Sequence, residues 1–388
     1  MTMQRYQTLG VSAGKEEVHK AIENLDKGLF PMAFCKVLPD FTGKDDDYVN
    51  LIHADTAGTK TSLAYLYWKE TQKMEIWKGI AQDALVMNLD DLACVGCLDR
   101  IIVSSTIGRN KHLIPGGVIE NIVTGTQEFI QKMSEMNIAI HFGGGETADV
   151  GDIVRTVDVG ITAFARMRKS DLLVNDIKPG NVIVGFASFG QTSYEEYYNS
   201  GIGSNGLTAA RHDLLNKSYT KWSASYAPET PVESVYTGPF ALTDNWGDGV
   251  NQYEIGQLLL SPTRTYLPII QQILKLHKSS VYGIIHNTGG AQTKVKKFIG
   301  PVKVVKNNLF TVPPVFQLVK THSLCSPQEM YQVYNMGHRL EMYVDESIAE
   351  EIIQISRSFN VDAQKIGYVE AHESPEVHLH VPEGHFIY

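Results

Sequence analysis

Alternating apolar and polar residues predict strands in the first half of the chain. Residues 49–55 alternate in this way and are followed by the sequence A-G-T-K at 57–60. We therefore expect a strand that ends in a turn at this point. Residues 101–106 and 156–167 have a β-type pattern, and 139–142 form a short strand that enters the sequence G-G-G-E-T. Because glycine permits positive φ and tight reversals, we expect a turn at these three glycines.

Apolar residues at helical spacing predict two helices in the same half of the chain. They lie over residues 79–92 and 118–137. In the first helix the charge is carried by Asp83, Asp90 and Asp91. This helix therefore brings carboxylates to one of its ends.

The second half begins at the sequence I-K-P-G, whose proline and glycine mark a boundary at 177–180. Residues 218–256 are rich in Ser, Thr, Pro, Gly and aromatics and are long for an ordinary connection, so we expect an insertion or a lid. The other predicted elements are a strand at 182–186, a helix at 263–276, a strand at 281–286, a β-rich run at 339–344, a helix at 348–359, and a segment at 363–369 that precedes a polar tail.

The order of these elements favours an α+β fold. Strands and helices are mixed without the strict alternation of a doubly wound parallel sheet. A length of 388 residues suits two domains, which we expect over 1–168 and 177–388, the second being the larger. The sequence contains no internal tandem repeat.

The negative net charge of the chain limits the kinds of partner that we expect it to bind. A formal net charge of -9 and a pI of about 5.8 repel nucleic-acid backbones and acidic lipid, so neither nucleic acid nor a membrane is an expected partner. A nucleotide such as ATP remains possible, because clustered backbone N–H groups and a divalent cation bind phosphate locally.

The sequence predicts a cytoplasmic protein. The first ten residues lack the cationic run and apolar core of an export signal, and no stretch approaches the roughly 20 apolar residues that span a bilayer. Four cysteines favour a reducing compartment. Cys94 and Cys97 form a C-x-x-C, but Cys35 and Cys325 are isolated, so packing is a simpler interpretation than a zinc or redox site.

Carboxylates stand beside the predicted glycine turns. Asp55, Asp91 and Glu146 each lie next to such a turn or at a helix end. One glycine turn alone is typical of any fold, but several of them with several carboxylates suit Mg²⁺ and phosphate.

Eight short motifs occur in the order in which they are found in one enzyme family. D-T-A-G-T-K at 55–60 resembles D-G-V-G-T-K, D-D-L at 90–92 resembles N-D-L, and G-G-E-T-A at 144–148 is similar to the family's own G-G-E-T-A. The remaining motifs are S-N-G at 204–206, P-T-R at 262–264, H-N-T-G-G at 286–290, N-M-G at 335–337 and K-I-G at 365–367. From about residue 50 to 370 the chain therefore resembles phosphoribosylformylglycinamidine cyclo-ligase, the aminoimidazole ribonucleotide (AIR) synthetase family.

The resemblance implies both a fold and an activity. The fold has two AIR synthetase-like domains with the site in the cleft between them, and it forms a homodimer in which first-domain sheets pair. The activity is that of an ATP- and Mg²⁺-dependent enzyme. It phosphorylates an amide oxygen of formylglycinamidine ribonucleotide, after which a neighbouring nitrogen closes the imidazole ring of AIR.

The resemblance also implies a role for each matching residue. Asp91, His286 and Lys60 would be catalytic, and Asp55, Asp91 and Glu146 would hold Mg²⁺. The residues expected to contact ATP or its phosphates are Gly58, Thr59, Lys60, Gly144, Gly145, Thr147, Ser204, Asn205, Gly206, Arg264, Thr288, Gly289 and Gly290.

Structural roles stay open for several of these residues when each is considered by itself. Lys60 would also suit a solvated surface charge, and His286 a hydrogen-bonded core histidine. Asn205 would suit a turn, and Arg264 an ion pair with an acid. Asp83 falls where the family carries a carboxylate, which would also suit an ion-pair partner.

The chain departs from the family pattern at three places. Gly203 stands where the family has a histidine before S-N-G, and the N-terminal glycine-rich loop is reduced to residues 28–34. His338 and Arg339 replace a second glycine and a small residue after N-M-G. These departures leave open a thiamine-phosphate kinase-like or hydrogenase-maturation-like activity, and a non-catalytic nucleotide-binding role.

Overall fold

The chain forms two large sheets, each built from its own stretch of sequence. The structure is a computed structural model that describes residues 9–11, 20–21, 23–247 and 251–388. A five-stranded sheet uses the first stretch and a seven-stranded sheet the second, with helices around both. The predicted α+β class is confirmed, whereas the division into domains at 168 and 177 stays a prediction.

The first sheet has the strand order β1-β2-β5-β3-β4. Its core-facing residues alternate with exposed ones, as in Ile101–Arg109, and helix α2 packs on the core face. The elements of this half are β1 (Val37–Pro39), β2 (Tyr48–Thr56), α1 (Lys60–Thr71), α2 (Ile76–Ala93), β3 (Ile101–Arg109), α3 (Gly116–Glu135), β4 (Ile140–Asp149) and β5 (Val157–Arg168).

The opposite face of the first sheet carries an apolar row that none of the helices in the described residues covers. Ile52, Phe164 and Ile102 are direct neighbours on β2, β5 and β3, so their side chains lie on one face. Ile52 is 53% exposed and Ile102 is 47% exposed. The row is therefore available for contact with another surface.

The second sheet has the strand order β14-β13-β10-β12-β6-β11-β9. Strand β6 is buried along its whole length, as its uniformly apolar sequence predicts. Its strands and the surrounding elements are β6 (Val182–Ala187), α4 (Leu207–Leu214), β7 (Asn245–Gly247), β8 (Gln252–Glu254), α5 (Ile255–Leu260), α6 (Leu267–His277), β9 (Val281–His286), β10 (Val302–Lys306), α7 (Pro314–His322), α8 (Pro327–Val333), β11 (His338–Val344), α9 (Glu346–Ser358), β12 (Ala363–Ala371), β13 (Glu376–Val381) and β14 (Gly384–Ile387).

Three sequence predictions need correction. The polar tail is strands β13 and β14, whose histidines and glutamate hid the alternation. The helix predicted from 263 begins at Leu267, because Thr263 and Thr265 before it are non-helical and donate hydrogen bonds to the carboxylates of α2. The three glycines lie within β4 rather than in a turn, at a point where the register with β3 shifts.

The described residues of the long connection at 218–256 form short 3₁₀ turns, the two strands of the small β7–β8 sheet and the beginning of α5. It packs on α1, where Tyr219 and Thr243 both donate hydrogen bonds to Glu70. Within the described part of the chain, no helix combines the length and the apolar character that a membrane span requires.

Candidate active site

Residues from both halves of the chain meet at the carboxylate of Asp91. This aspartate lies at the end of α2, His286 ends β9, and His53 lies on β2. Asp91 Oδ1 is 2.7 Å from His286 Nδ1, and Asp91 Oδ2 is 3.3 Å from His53 Nε2. The D-D-L and H-N-T-G-G motifs are therefore in direct contact.

Arg339 determines which nitrogen of a neutral His286 carries the proton. The Nε–H of Arg339 donates to His286 Nε2 at 3.1 Å, so the proton of a neutral His286 lies on Nδ1 and is donated to Asp91. Both side chains are fully buried. Burial alone would raise the pKa of Asp91, but hydrogen bonds from His286 and His53 hold it well below its ordinary range. We call Arg339, His286, Asp91 and His53 the cleft cluster.

His53 is the member of the cleft cluster that reaches solvent, with 24% of its side chain exposed. Its Nδ1 faces Asn88 Oδ1 at 2.9 Å, while the Asn88 Nδ2 group donates to the backbone carbonyls of Ala84 and Asp55. Both ring nitrogens of His53 thus face acceptors, an arrangement that suits the positively charged ring. Burial lowers the pKa of His53, but Asp91 outweighs it and the net shift is upward.

Asp55 lies on the same face of β2 as His53, nearer the solvent-exposed end of the strand. It is exposed, two residues after His53, and its Oδ1 accepts the N–H of Thr56 at 2.7 Å. Because alternate residues of a strand share a face, His53 and Asp55 project to the same side of β2. The cleft cluster therefore ends beside an exposed carboxylate.

Lys60 is sealed inside the protein. Its ammonium group lies 2.8 Å from Asp83 Oδ1 and also donates to the carbonyl of Ser261, and both charged side chains are fully buried. Asp83 additionally accepts the backbone N–H and the hydroxyl of Thr263. Lys60 thus joins α1, α2 and the P-T-R segment, and in this conformation it presents no N–H to a phosphate.

Arg264 has a similar internal role. It pairs with Glu195 at 2.6 Å and donates to the carbonyls of Ala187, Phe189 and Gly190. Glu195 belongs to the segment that precedes S-N-G, so Arg264 holds that segment against the end of β6. Its contact with phosphate stays a prediction, since its N–H groups are engaged here.

The S-N-G motif lies where α4 begins. Gly206 is the N-cap of this helix at φ 79°, a conformation that glycine adopts without strain. Thr208 in the first turn is 2.8 Å from the hydroxyl of Thr59, and the Ser204 hydroxyl is 3.3 Å from that of Thr263. The start of α4 therefore adjoins the G-T-K turn.

The T-G-G motif opens a second loop that contacts the first half of the chain. Gly289 is exposed with φ 57°, and a 3₁₀ helix, Ala291–Phe298, follows. Phe298 stacks on Phe34 at 4.9 Å, and Lys294 lies 5.4 Å from the same ring. Lys294 is half-buried, so its ammonium group is a partly accessible cation beside Phe34.

Glu146 does not join Asp55 and Asp91 within one chain. Glu146, Thr106, Gly160 and Thr56 form one row across the sheet, and Asp55 belongs to the neighbouring row. Adjacent rows face opposite sides of a sheet, and three strand spacings separate the two residues laterally by about 14 Å. Gly144, Gly145 and Thr147 lie on the same strand as Glu146.

Two departures from the family pattern meet in space. A Cβ added at Gly203 would lie 3.6 Å from Arg339 Cδ and Nη1. Arg339 therefore borders the volume that a side chain at 203 would enter, and its guanidinium bonds to His286.

Sequence reasoning missed His53, Arg339 and Lys294 as candidate site residues. His53 could have been found from its i−2 spacing to Asp55 on a predicted strand. The contact between Arg339 and His286 depends on the pairing of β11 with β9, which no local pattern reveals.

The donor set at the cleft suits Mg²⁺. Asp55 and Asp91 offer hard carboxylate oxygens, the ligand type that Mg²⁺ prefers. Each oxygen of Asp91 meets one imidazole, and because a carboxylate oxygen has two lone pairs, one remains on each. Asp55 and Asp91 therefore offer ligands of the type that Mg²⁺ prefers, whereas Glu146 of the same chain is remote from Asp55.

Comparison with known proteins identifies relatives of this chain. The sequence model described as "AIR synthase related protein, N-terminal domain" matches residues 37–167. A phosphoribosylformylglycinamidine cyclo-ligase from Methanocaldococcus jannaschii is 27% identical over 325 residues, which cover 83% of this chain and 79% of the relative. The resemblance inferred from the motifs is confirmed.

Solved structures share the fold. Thermotoga maritima PurL complexed with ADP has a TM-score of 0.55 at 14% identity, and the match covers 98% of this chain and 50% of PurL. A chain of the HypE–HypF complex has a TM-score of 0.57 at 14% identity, with 97% of this chain and 99% of that chain covered. At these identities the likeness concerns the fold alone.

Proposed function

We propose that this chain, whose residues 37–167 match the AIR synthase-related N-terminal domain, is a phosphoribosylformylglycinamidine cyclo-ligase of purine biosynthesis. It would use ATP to convert formylglycinamidine ribonucleotide into AIR. One observation carries the proposal: the cleft cluster joins motifs of both halves through Asp91 and ends beside the exposed Asp55.

The reaction needs an activated amide oxygen, because that oxygen is a poor leaving group. Transfer of the ATP γ-phosphoryl group to it creates a phosphate leaving group, and a neighbouring nitrogen then closes the ring. Phosphoryl transfer depends on alignment and on neutralising the charge of the phosphate oxygens. The protein must therefore supply fixed positive charge and N–H donors at the cleft.

Asp55 and Asp91 would hold Mg²⁺, which neutralises phosphate charge when bound. His286 keeps Asp91 oriented, because its Nδ1–H is donated to one carboxylate oxygen while Arg339 occupies its other nitrogen. Both nitrogens of His286 are thus engaged, so we assign this histidine to positioning. Glu146 could join the metal site only if a second subunit supplied it.

His53 and Lys294 are the accessible cations that we propose for the phosphates. The His53 ring is partly exposed on the same strand face as Asp55, and Lys294 follows the T-G-G motif. Backbone N–H groups of three segments would complete the phosphate site. These segments comprise Gly58 and Thr59, then Ser204, Asn205 and Gly206, and finally Thr288, Gly289 and Gly290.

The direct test is product formation. The purified chain, formylglycinamidine ribonucleotide, ATP and Mg²⁺ should yield AIR and ADP in equal amounts, measured by chromatography. Absence of AIR at high enzyme concentration, together with ATP-dependent phosphorylation of thiamine phosphate, would transfer the assignment to a kinase-like activity.

Non-catalytic nucleotide binding is a second candidate. The observation that favours it is the internal engagement of Lys60, Arg264 and His286, which leaves none of them free in this conformation. Saturable ATP binding by calorimetry, with no ADP formed in the presence of formylglycinamidine ribonucleotide or thiamine phosphate, would support this role. It would contradict the cyclo-ligase.

We further propose a homodimer formed through the apolar row of the first sheet. Burial of Ile52 and Ile102 against a second copy would remove exposed apolar surface. Ile102→Lys should yield a monomer by light scattering, while Ile153→Lys, at an exposed site outside the row, should leave the dimer intact. A wild-type chain that is monomeric at every concentration would contradict the proposal.

We also propose a cytoplasmic location. Cys35, Cys94 and Cys97 are buried free thiols, and burial raises the pKa of each. Such unpaired thiols suit a reducing compartment.

A further inference from the structure

Three histidines gather on the C-terminal hairpin, away from the cleft cluster. His378 and His380 lie on β13, and His385 lies on β14 directly opposite His380. Because residues two apart on a strand share a face, as do cross-strand partners, the three imidazoles project to one side. Each offers a ring nitrogen within 4.8 Å of the others. We call them the histidine triad.

The separations within the triad are close to those of metal ligands. His378 Nδ1 and His385 Nε2 are 3.1 Å apart. Two nitrogens bound tetrahedrally to zinc at its usual bond length lie about 3.3–3.4 Å apart. The ring of His380 stacks on that of His385 at 4.1 Å and is exposed, so it is free to turn toward the same point.

A carboxylate orients one ligand of the triad. Glu376 Oε2 lies 2.8 Å from His378 Nε2, so it accepts the proton on that nitrogen and leaves the lone pair of Nδ1 directed toward His385. Metal-bound histidines commonly donate their other N–H to a carboxylate in this way. Glu376 is therefore the supporting residue that such a site requires.

The backbone beneath the triad is anchored to its surroundings. Val377 and Leu379 on the opposite face of β13 are buried in the core. The turn residue Glu383 pairs with Lys320 and accepts a hydrogen bond from Tyr331 at 3.3 Å. The strands thus hold the Cα positions of the histidines, and only side-chain torsions need adjust on binding.

We propose that the histidine triad binds a divalent transition-metal ion of the zinc, nickel and copper class. Neutral imidazole is a preferred ligand of these ions, whereas Mg²⁺ prefers oxygen. Three nitrogens leave one position for water. The bound ion cross-links β13 to the edge strand β14 and so secures the free edge of the second sheet.

The test is a titration of the purified full chain with Zn²⁺ by calorimetry, in excess Mg²⁺ so that oxygen sites are filled. Wild type should bind one equivalent and gain thermal stability, because the ion binds the folded hairpin. His385→Asn should abolish this binding, and Glu376→Gln should weaken it by about 10- to 100-fold. His112→Asn, at an exposed histidine outside the triad, should bind as wild type does.

Co²⁺ absorption identifies the ligands independently. The proposal expects a spectrum of nitrogen and oxygen ligation that is lost in His385→Asn. A sulfur-to-cobalt charge-transfer band, which would indicate cysteine ligation, overturns it. Equal Zn²⁺ affinity in wild type and His385→Asn, or no binding by wild type, overturns it as well. The exposed position of His385 means that folding of the variant, checked by circular dichroism, should be unchanged.

Discussion

Two buried ionic clusters lie side by side in this protein and differ in their access to solvent. The cleft cluster passes from the buried Arg339 through His286 and Asp91 to the partly exposed His53. A second group, here called the sheet cluster, comprises Lys306, Glu341 and His338. Since His338 and Arg339 are consecutive on β11, one strand supplies both clusters.

The sheet cluster is closed on all sides. Lys306 Nζ lies 2.7 Å from Glu341 Oε2, and neither side chain is exposed. Glu341 also faces His338 Nε2 at 3.3 Å and accepts from the Tyr343 hydroxyl at 2.7 Å. Burial would raise the pKa of Glu341, but Lys306 and His338 lower it to about 2. The cleft cluster reaches a surface at His53 and the sheet cluster does not, so the two differ in whether a ligand could contact their charged groups.

The largest expected effect on stability comes from breaking the sheet cluster. Glu341→Gln removes the charge that compensates Lys306, and loss of one partner of a buried pair costs about 3–5 kcal/mol in the free energy of unfolding. Denaturant unfolding measures this change. Glu346→Gln, which alters an exposed pair with Lys365, is the matched control and should leave the unfolding free energy nearly unchanged.

A smaller effect, on activity alone, is expected at the solvent end of the cleft cluster. His53→Gln removes the positive ring beside Asp55 while keeping a side chain that can hydrogen-bond. Since hydrogen bonds to charged groups are worth about 1.5–3 kcal/mol, the rate of AIR formation should fall by about 10- to 100-fold. His112→Gln, at an exposed histidine outside the cluster, is the control and should turn over as wild type does. Wild-type turnover by His53→Gln would mean that His53 is not part of the site.

The most gradual effect is the loss of stability in acid. Burial lowers the pKa of His338 below its ordinary value, so the unfolded chain takes up a proton below about pH 6.5 that the folded chain does not. Glu341, whose folded pKa is about 2, contributes stability that is lost as pH falls from about 4.5 toward 2. The unfolding free energy should therefore decline from pH 6.5 and more steeply below 4.5.

Replacing His338 separates these two steps. His338→Gln should flatten the decline between pH 6.5 and 5 and preserve the steeper part below 4.5. An unchanged slope between pH 6.5 and 5 would mean that this histidine is not the group that titrates.

The sequence predicted the fold better than it predicted contacts. Strands such as 49–55 and helices such as 118–137 follow from period and composition, because those patterns are local. The C-terminal hairpin was missed because histidine and glutamate on its outer face concealed the alternation of Val377 and Leu379.

The motifs predicted which residues form the candidate site but could not assign roles within it. They gave Asp91 and His286, which lie in contact, and Lys60, whose exposure depends on the tertiary partners Asp83 and Ser261. The placement of Glu146 on the other face of the first sheet follows from strand pairing, which a linear motif does not encode. The roles of all these residues stay predictions.

Asp91 joins the two halves of the cleft cluster, and turnover of Asp91→Asn across a Mg²⁺ titration tests its role most directly. The substitution keeps the volume but removes one negative charge from the proposed metal site. AIR formation should fall by about 10²- to 10³-fold, as for loss of comparable electrostatic stabilisers. Because Asp91 is buried and bonded to two histidines, the thermal midpoint should fall as well, so turnover is compared at a temperature at which circular dichroism shows the variant to be folded. Wild-type turnover by the variant at every Mg²⁺ concentration would contradict the assignment of the cleft cluster as the active site.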